Sequence, residues 1–280
     1  MIEQTLSLKM IIQDLIKKLT PLLCFNLDQQ TKRVGNKKAS LIIFDGGVGS
    51  GKTHSGVSVA DYLNREEIDL SIQYGMGGED FEKKLRLCVD QQKRVIIYDE
   101  AGDFSRRGAI TGFNKRLNRI FETYRTFEII VLLILPCVDI LDSQMFTNKI
   151  PRMLINCHNK VQGKYTRFRA YSLYRMFWLK KNFKELTVKP QAYTKTRPNF
   201  RGLIRPLTQE RGELVDNLST TGKLKELNNG AKIYNKHDIA EKLSKNPSYV
   251  VARLRLNGIK PVKKIKTTNY YSEQALDIFE

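Results

Sequence analysis

The 280-residue chain is 41% hydrophobic, enough for one large domain, or a main domain with a small companion, and too apolar for a chain disordered throughout. Its 48 lysines and arginines face 29 acids, a formal net charge of +19; such an excess points to a polyanionic partner, because clustered cations gain free energy by displacing condensed counterions. Cys24, Cys88, Cys137 and Cys157 form no C-x-x-C pair, which argues against a disulfide framework or a zinc site and fits reduced thiols in the cytoplasm.

In chain order, residues 2–19 place Ile2, Leu6, Ile11, Ile12, Leu15, Ile16 and Leu19 on one helical face. That segment is charged throughout and lacks a cleavage site, unlike a signal peptide. A polar stretch, "NLDQQTKRVGNKKAS", leads to the strand "LIIF", a glycine-rich loop and a helix over Lys52–Leu63. "DLSIQYG" predicts a short strand and "GGEDFEKKLRLCVDQQ" a helix. "KRVIIYDEAGDF" is a buried strand ending in two acids, and "NKRLNRIFETYRT" a helix. "FEIIVLLILP" is a fully apolar strand closed by Pro136. The apolar run there is about half the length that spans a bilayer, so no integral membrane segment is expected. "DSQMFTNKIPR" predicts a helix up to Pro151, and "MLINCHNKV" and "TRFRAYSLYRMFWLKKN" predict strands. Residues 185–230, with Pro190, Pro198 and Pro206, are weaker in pattern and look like a linker. A helical pattern resumes near Ala231. Apolar strands alternating with helices imply an α/β domain, its mostly parallel sheet covered on both faces.

Gly46-Gly47-Val48-Gly49-Ser50-Gly51-Lys52-Thr53 satisfies G-x-x-x-x-G-K-[ST] in full, between a strand and a helix. Glycines let the backbone curl so that its N–H groups face a phosphate, and the helix start adds its positive dipole end. Lys52 is expected to reach the β- and γ-phosphates of ATP, and the Thr53 hydroxyl to bind Mg²⁺. Asp99, at the tip of "RVIIYD", is expected beside that metal, with Glu100 next to it polarising the attacking water. No guanine-reading N-K-x-D is present. The acid pair marks the P-loop branch that hydrolyses ATP with a strand-tip glutamate, the RecA-like, ASCE type.

"IIYDEAGDFSRR" followed by "LNRIFETYRTFEIIVLLILP" resembles the FtsK/HerA-type motor ATPases, particularly the branch similar to zonula-occludens-toxin-like and viral packaging ATPases, over roughly Leu41 to Phe183. The resemblance implies a homo-oligomeric, ring-forming motor that moves DNA. Toxin-like phage members usually carry a transmembrane helix; without one here, the resemblance favours a packaging or transfer motor of a virus or mobile element. A ring also implies an arginine donated to a neighbour's phosphate. Arg106, Arg107, Arg116, Arg119 and Arg125 are candidates, with Arg125 and Arg119 preferred. The family usually ends the strand after the acid pair on a polar residue that reports on the γ-phosphate. Here that tip is Leu133-Ile134-Leu135-Pro136-Cys137.

The positive charge lies downstream of these motifs: residues 1–150 carry 21 basic and 19 acidic side chains, residues 151–200 carry 12 and one. Between Lys160 and Lys184, aromatics interleave with cations. They are open to two readings, aromatics packed inward beneath a solvated cationic face, or a surface that tracks a phosphate backbone and stacks bases. From Ala231 to Lys266, 10 basic residues face two acids in the order helix, turn, helix, basic hairpin. Val250, Val251 and Leu254 are expected to pack inward, with Ser248, Tyr249, Arg253 and Arg255 toward a DNA groove and Lys263 and Lys264 on a wing. This segment resembles a winged helix-turn-helix; a basic protein-docking domain is the alternative. The expected organisation is an N-terminal helix and linker over 1–39, a P-loop ATPase domain over 40–200, a linker over 201–230 and a small DNA-binding domain over 231–280. Three functions remain open: a DNA motor, an ATP-switched DNA-binding regulator without translocation, and a secretion ATPase acting on protein.

Overall fold

The computed structural model describes residues 18–36, 38, 40–99, 128–141, 143–185, 189–229, 234–243, 245–259, 263–265 and 268–271. They fall into two compact units, Met1–Gly222 and Lys223–Glu280.

The first unit is built on a seven-stranded sheet in the order β2-β3-β4-β1-β5-β6-β7. Its strands are β1 (Ser40–Asp45), β2 (Tyr74–Met76), β3 (Val95–Asp99), β4 (Ile130–Ile134), β5 (Pro151–Val161), β6 (Tyr165–Ser172) and β7 (Phe200–Ile204). The first five run parallel, and β5-β6-β7 extend the sheet antiparallel. β1, β3 and β4 are buried along their whole length, which is why they are continuous apolar runs rather than alternating ones. One face packs Ile42, Phe44, Ile97, Leu132 and Ile155 against Leu23 and Leu27 of α1 (Pro21–Val34) and Val57, Val59 and Leu63 of α2 (Lys52–Asn64). The other packs Leu41, Ile43, Ile96 and Leu133 against Phe81 and Leu85 of α4 (Gly77–Asp90), with Met176 and Leu179 further along the chain. A short helix, α3 (Leu70–Gln73), capped by Asp69, leads into β2. The result is a mostly parallel α/β, P-loop NTPase-like fold with helices on both sheet faces. β4 lies between β1 and β3, so the strand that leads into the glycine-rich loop and the strand that ends in Asp99 are not neighbours.

Four segments differ from their sequence reading. The polar stretch before β1 is largely helix: α1 buries Leu23, Cys24, Leu27 and Val34, with too few apolar positions to stand out from its polar residues. "DLSIQYG" divides between α3 and the three residues of β2. "TRFRAYSLYRMFWLKKN" is a strand only to Ser172 and continues as α6 (Leu173–Glu185), after the short α5 (Ser143–Thr147) earlier in the chain. Beyond Ser172 the buried positions Met176, Leu179 and Phe183 recur at helical spacing, leaving Tyr174, Phe177 and Trp178 exposed. Residues 201–230, expected as a linker, hold most of β7 and all of α8 (Gln209–Asn229), which follows α7 (Lys189–Lys195). Pro206 breaks the chain between β7 and α8 rather than unfolding it.

The second unit carries α9 (Lys236–Lys242), α10 (Pro247–Leu256) and an antiparallel sheet in the order β8-β10-β9, from Tyr234–Asn235, Thr268–Tyr271 and Lys263–Ile265. Ile239, Ala240, Val250 and Leu254 form its core. Asn246 caps α10 by accepting the Ser248 N–H at 2.9 Å, with Pro247 in the first turn.

Candidate nucleotide site

Residues Gly46–Gly51 connect β1 to α2 at the C-terminal edge of the parallel strands. Gly46 has φ +142°, and a Cβ there would lie 2.0 Å from the Cys157 carbonyl oxygen of β5. Gly51, at φ +85°, packs so close to β6 that a Cβ would lie 2.6 Å from Thr166 Oγ1. The two glycines therefore let the loop nest against the sheet where no other residue fits. Lys52 Nζ donates to the carbonyls of Gly46 at 2.8 Å and Gly47 at 2.9 Å, so the ammonium lies across the mouth of the loop. The side chain of Val48 at the tip is fully exposed. Ser50 Oγ is buried and, among the described residues, has no hydrogen-bond partner.

Asp99 ends β3, one strand beyond β4, and is buried. Thr53 Oγ1 donates to Asp99 Oδ2 at 3.0 Å, which brings the two expected metal ligands together although 46 positions separate them. Tyr74, on β2, donates its hydroxyl to the same carboxylate oxygen at 2.7 Å. Burial first, then the Asp99 charge, push the Tyr74 phenol well above its usual range, so it stays a donor. A glycine curl, a lysine, a threonine hydroxyl and a held carboxylate fit a Mg²⁺-nucleotide.

Asp45, immediately before the loop, was not singled out from the sequence and is fully buried. Its carboxylate accepts from Val138 N–H at 3.0 Å, from Asn156 Nδ2 at 3.0 Å and from the Tyr193 hydroxyl of α7. Burial raises its pKa to about 6, against the pull of those donors and of Lys52. An aspartate at a strand end carries no sequence signal for this, because its donors come from the loop after β4, from β5 and from α7. Arg211 and Asp216 of α8 were also missed. Arg211 holds buried Asp61 of α2 with two bonds, at 2.6 and 3.1 Å, and reaches Glu67 at 3.2 Å. Asp216 lies 2.9 Å from His54 Nε2, one residue past Thr53. Beside Gly51, the side chains of His54, Lys160, Tyr165, Thr166 and Arg205 line a pocket.

The tip of β4 is apolar. Ile134 is in register with both Phe44 and Asp99 and packs on α2 at Gly56. Leu133 and Leu135 are buried, and half-buried Cys137 places Sγ 3.7 Å from the Tyr193 hydroxyl. Glu100, Arg119 and Arg125, like Arg106, Arg107 and Arg116, lie outside the described residues. In the second unit, Ser248, Tyr249, Arg253 and Arg255 are exposed on α10 above buried Val250 and Leu254, and Val251 is half-buried. Lys263 and Lys264 lie on β9.

No protein-family model and no curated protein matches the chain. Solved structures that resemble it include the HORMA:CdnC:Trip13 complex of E. coli MS115-1, at 16% identity and a TM-score of 0.34, covering 52% of this chain and 65% of that one. PCH-2 of C. elegans is 16% identical, with a TM-score of 0.32 over 59% and 46%. The flagellar accessory protein FlaH of Methanocaldococcus jannaschii is 16% identical, with a TM-score of 0.23 over 51% and 82%. The chain thus spans less than two thirds of the first two. Likenesses this distant carry nothing about activity, and the functional reading rests on the site itself. Among the described residues no helix is long and apolar enough to cross a membrane.

Proposed function

We propose that the chain is an ATP-hydrolysing DNA motor, a homo-oligomeric FtsK/HerA-like ATPase of a virus or mobile element, with a winged-helix module at its C-terminus that grips duplex DNA. The observation that carries the reading is the Thr53–Asp99 contact at the foot of the phosphate loop. Lys52 and the loop amides hold the phosphates. Thr53 and Asp99 hold Mg²⁺, which when bound neutralises charge on the β- and γ-phosphate oxygens. Glu100 follows Asp99 in the chain and orients the attacking water; Arg125 or Arg119 serves a neighbouring subunit. The exposed Arg253 and Arg255 above a small apolar core, and the hairpin after α10, support the winged-helix assignment.

The apolar β4 tip favours a second reading. With Ile134 where a polar γ-phosphate reporter is expected, ATP acts as a conformational switch for a DNA-binding regulator that does not translocate. ATP hydrolysis with and without duplex DNA, alongside oligomeric mass, separates the two. The motor hydrolyses ATP faster on DNA as an oligomer; the switch binds DNA in an ATP-dependent manner with slow turnover that DNA does not change. In either case Lys52→Ala is expected to abolish ATP binding, and unaltered binding sinks the phosphate-loop assignment. Glu100→Gln is expected to bind ATP while hydrolysis falls at least 100-fold; full activity removes Glu100 from its role.

A further inference from the structure

The antiparallel extension β5-β6-β7 has one face buried on the α2 side, while the other is buried at Leu154, Asn156 and Tyr171 and open beyond them. Thr166, Phe168 and Ala170 of β6 and Ile204 of β7 are buried on the α2 side. Alternation turns Tyr165, Arg167 and Arg169 of β6, and Arg201 and Leu203 of β7, to the other side. There Arg167 and Arg201 are exposed and Arg169 is half-buried. The register sets Arg169 directly opposite Arg201, and Arg167 opposite Leu203. Like charges directly across a sheet are destabilising, yet none of the three strands contains an acid. Among the described residues no carboxylate pairs with these arginines. Arg167 instead lies 5.6 Å over the Tyr165 ring. The exposed His158 of β5 sits in the same field: burial first, then Arg169, Arg167 and Arg201, lower its pKa. The row that holds Arg169 and Arg201 runs through buried Asn156 to Asp45 at the foot of the glycine-rich loop, as successive register partners across four strands.

We infer that the open part of that face of β5-β7, with Arg167, Arg169 and Arg201 at its centre, binds the phosphodiester backbone of nucleic acid, as a contact additional to the C-terminal module. The inference rests on the DNA-acting reading and names a surface for it in the first unit. Guanidinium groups take phosphate oxygens two at a time. A polyanion laid along the face supplies the missing counter-charge and relieves the Arg169–Arg201 repulsion. Tyr165 adds a ring beside the cations on which a base can stack.

Anisotropy of labelled duplex and single-stranded oligonucleotides with the full-length chain, at several salt concentrations, tests it. Replacing Arg167, Arg169 and Arg201 together by Ala is expected to weaken binding at least 10-fold at 0.1 M salt. The slope of log affinity against log salt should shallow by about 2 to 3, close to one counterion per lost phosphate contact. The thermal midpoint should hold or rise, as repelling charges are removed, and ATP affinity without DNA should be unchanged. The triple Arg→Lys variant should keep most of the slope, and an Arg169→Gln, Arg201→Gln pair provides a milder version. Unchanged affinity and slope for both oligonucleotides overturn the proposal while leaving the DNA reading in place. So does a loss seen only on phosphatidylserine vesicles, which makes the face a lipid-headgroup surface. A wild-type chain that binds neither oligonucleotide overturns both.

Discussion

Asp45 is a carboxylate whose charge the fold resists, one residue from a loop shaped to receive phosphate. Its pKa of about 6 lies above that of an unfolded aspartate, so between pH 4 and 6 the folded chain holds a proton that the unfolded chain releases. Stability from this group is full below the unfolded value and is lost as pH rises through about 6. The loss is on the order of 3 kcal/mol. Urea denaturation from pH 4 to 7.5 should therefore show Asp45→Asn gaining on the wild type as pH rises, and parallel profiles would refute this account. Tyr193, Asn156 and the Val138 N–H partly offset the burial, so the loop base is tied to the segment after β4, to β5 and to α7 at once. By contrast, Thr53 and Asp99 meet at the C-terminal edge of the sheet, Thr53 in the first turn of α2 after β1 and Asp99 at the end of β3, with β4 between the two strands.

Among elements, α8 is the one most underestimated by its sequence. Its apolar positions do not form a stripe; what fixes it to α2 is charge. Arg211 is bound twice to Asp61 and donates to the Ile68 carbonyl at 3.1 Å, while Asp61 also accepts the Ile68 N–H at 2.9 Å. Removing one partner of a buried pair leaves the other without counter-charge, which costs about 3–5 kcal/mol. Arg211→Ala should lower the urea midpoint accordingly, and adding Asp61→Asn should recover part of the loss. A midpoint within error of the wild type would mean that α8 is held by its apolar contacts, such as Val215, instead. Because Asp216 touches His54, the phosphate-loop helix and α8 share contacts at two levels. α6 shows the converse case, where a shift from alternate to three- and four-residue spacing at Ser172 turns a strand into a helix.

Across the whole molecule, charge is partitioned: the nucleotide motifs lie in a nearly neutral half and the cations lie beyond residue 150. The small unit contributes its own share, since 10 basic and two acidic residues lie between Ala231 and Lys266. Deleting 231–280 should weaken duplex binding and shallow its salt dependence, with ATP binding retained. Undiminished DNA affinity would make this unit a protein adaptor. If the β5-β7 arginines also contribute, the truncated chain keeps a residual salt-dependent affinity that the triple alanine variant removes.

The sequence by itself determined the parallel α/β core, because strands buried on both faces must be continuous apolar runs. It also determined the glycine-rich G-x-x-x-x-G-K-[ST] loop, because that pattern depends on residues adjacent in the chain. The basic character of the downstream half was legible for the same reason: charge is a property of composition. Only the tertiary structure decided what depends on neighbours far apart in sequence. It set β4 between β1 and β3, with apolar Ile134 at its tip, and placed Tyr74 on Asp99 and three donors on Asp45. It recruited α8 through a buried ion pair, and it separated Phe168 in the core from Arg167, Arg169 and Arg201 on the opposite side of the sheet. Such contacts form across strands and helices tens to more than a hundred residues apart, where periodicity and local motif carry no information about partners.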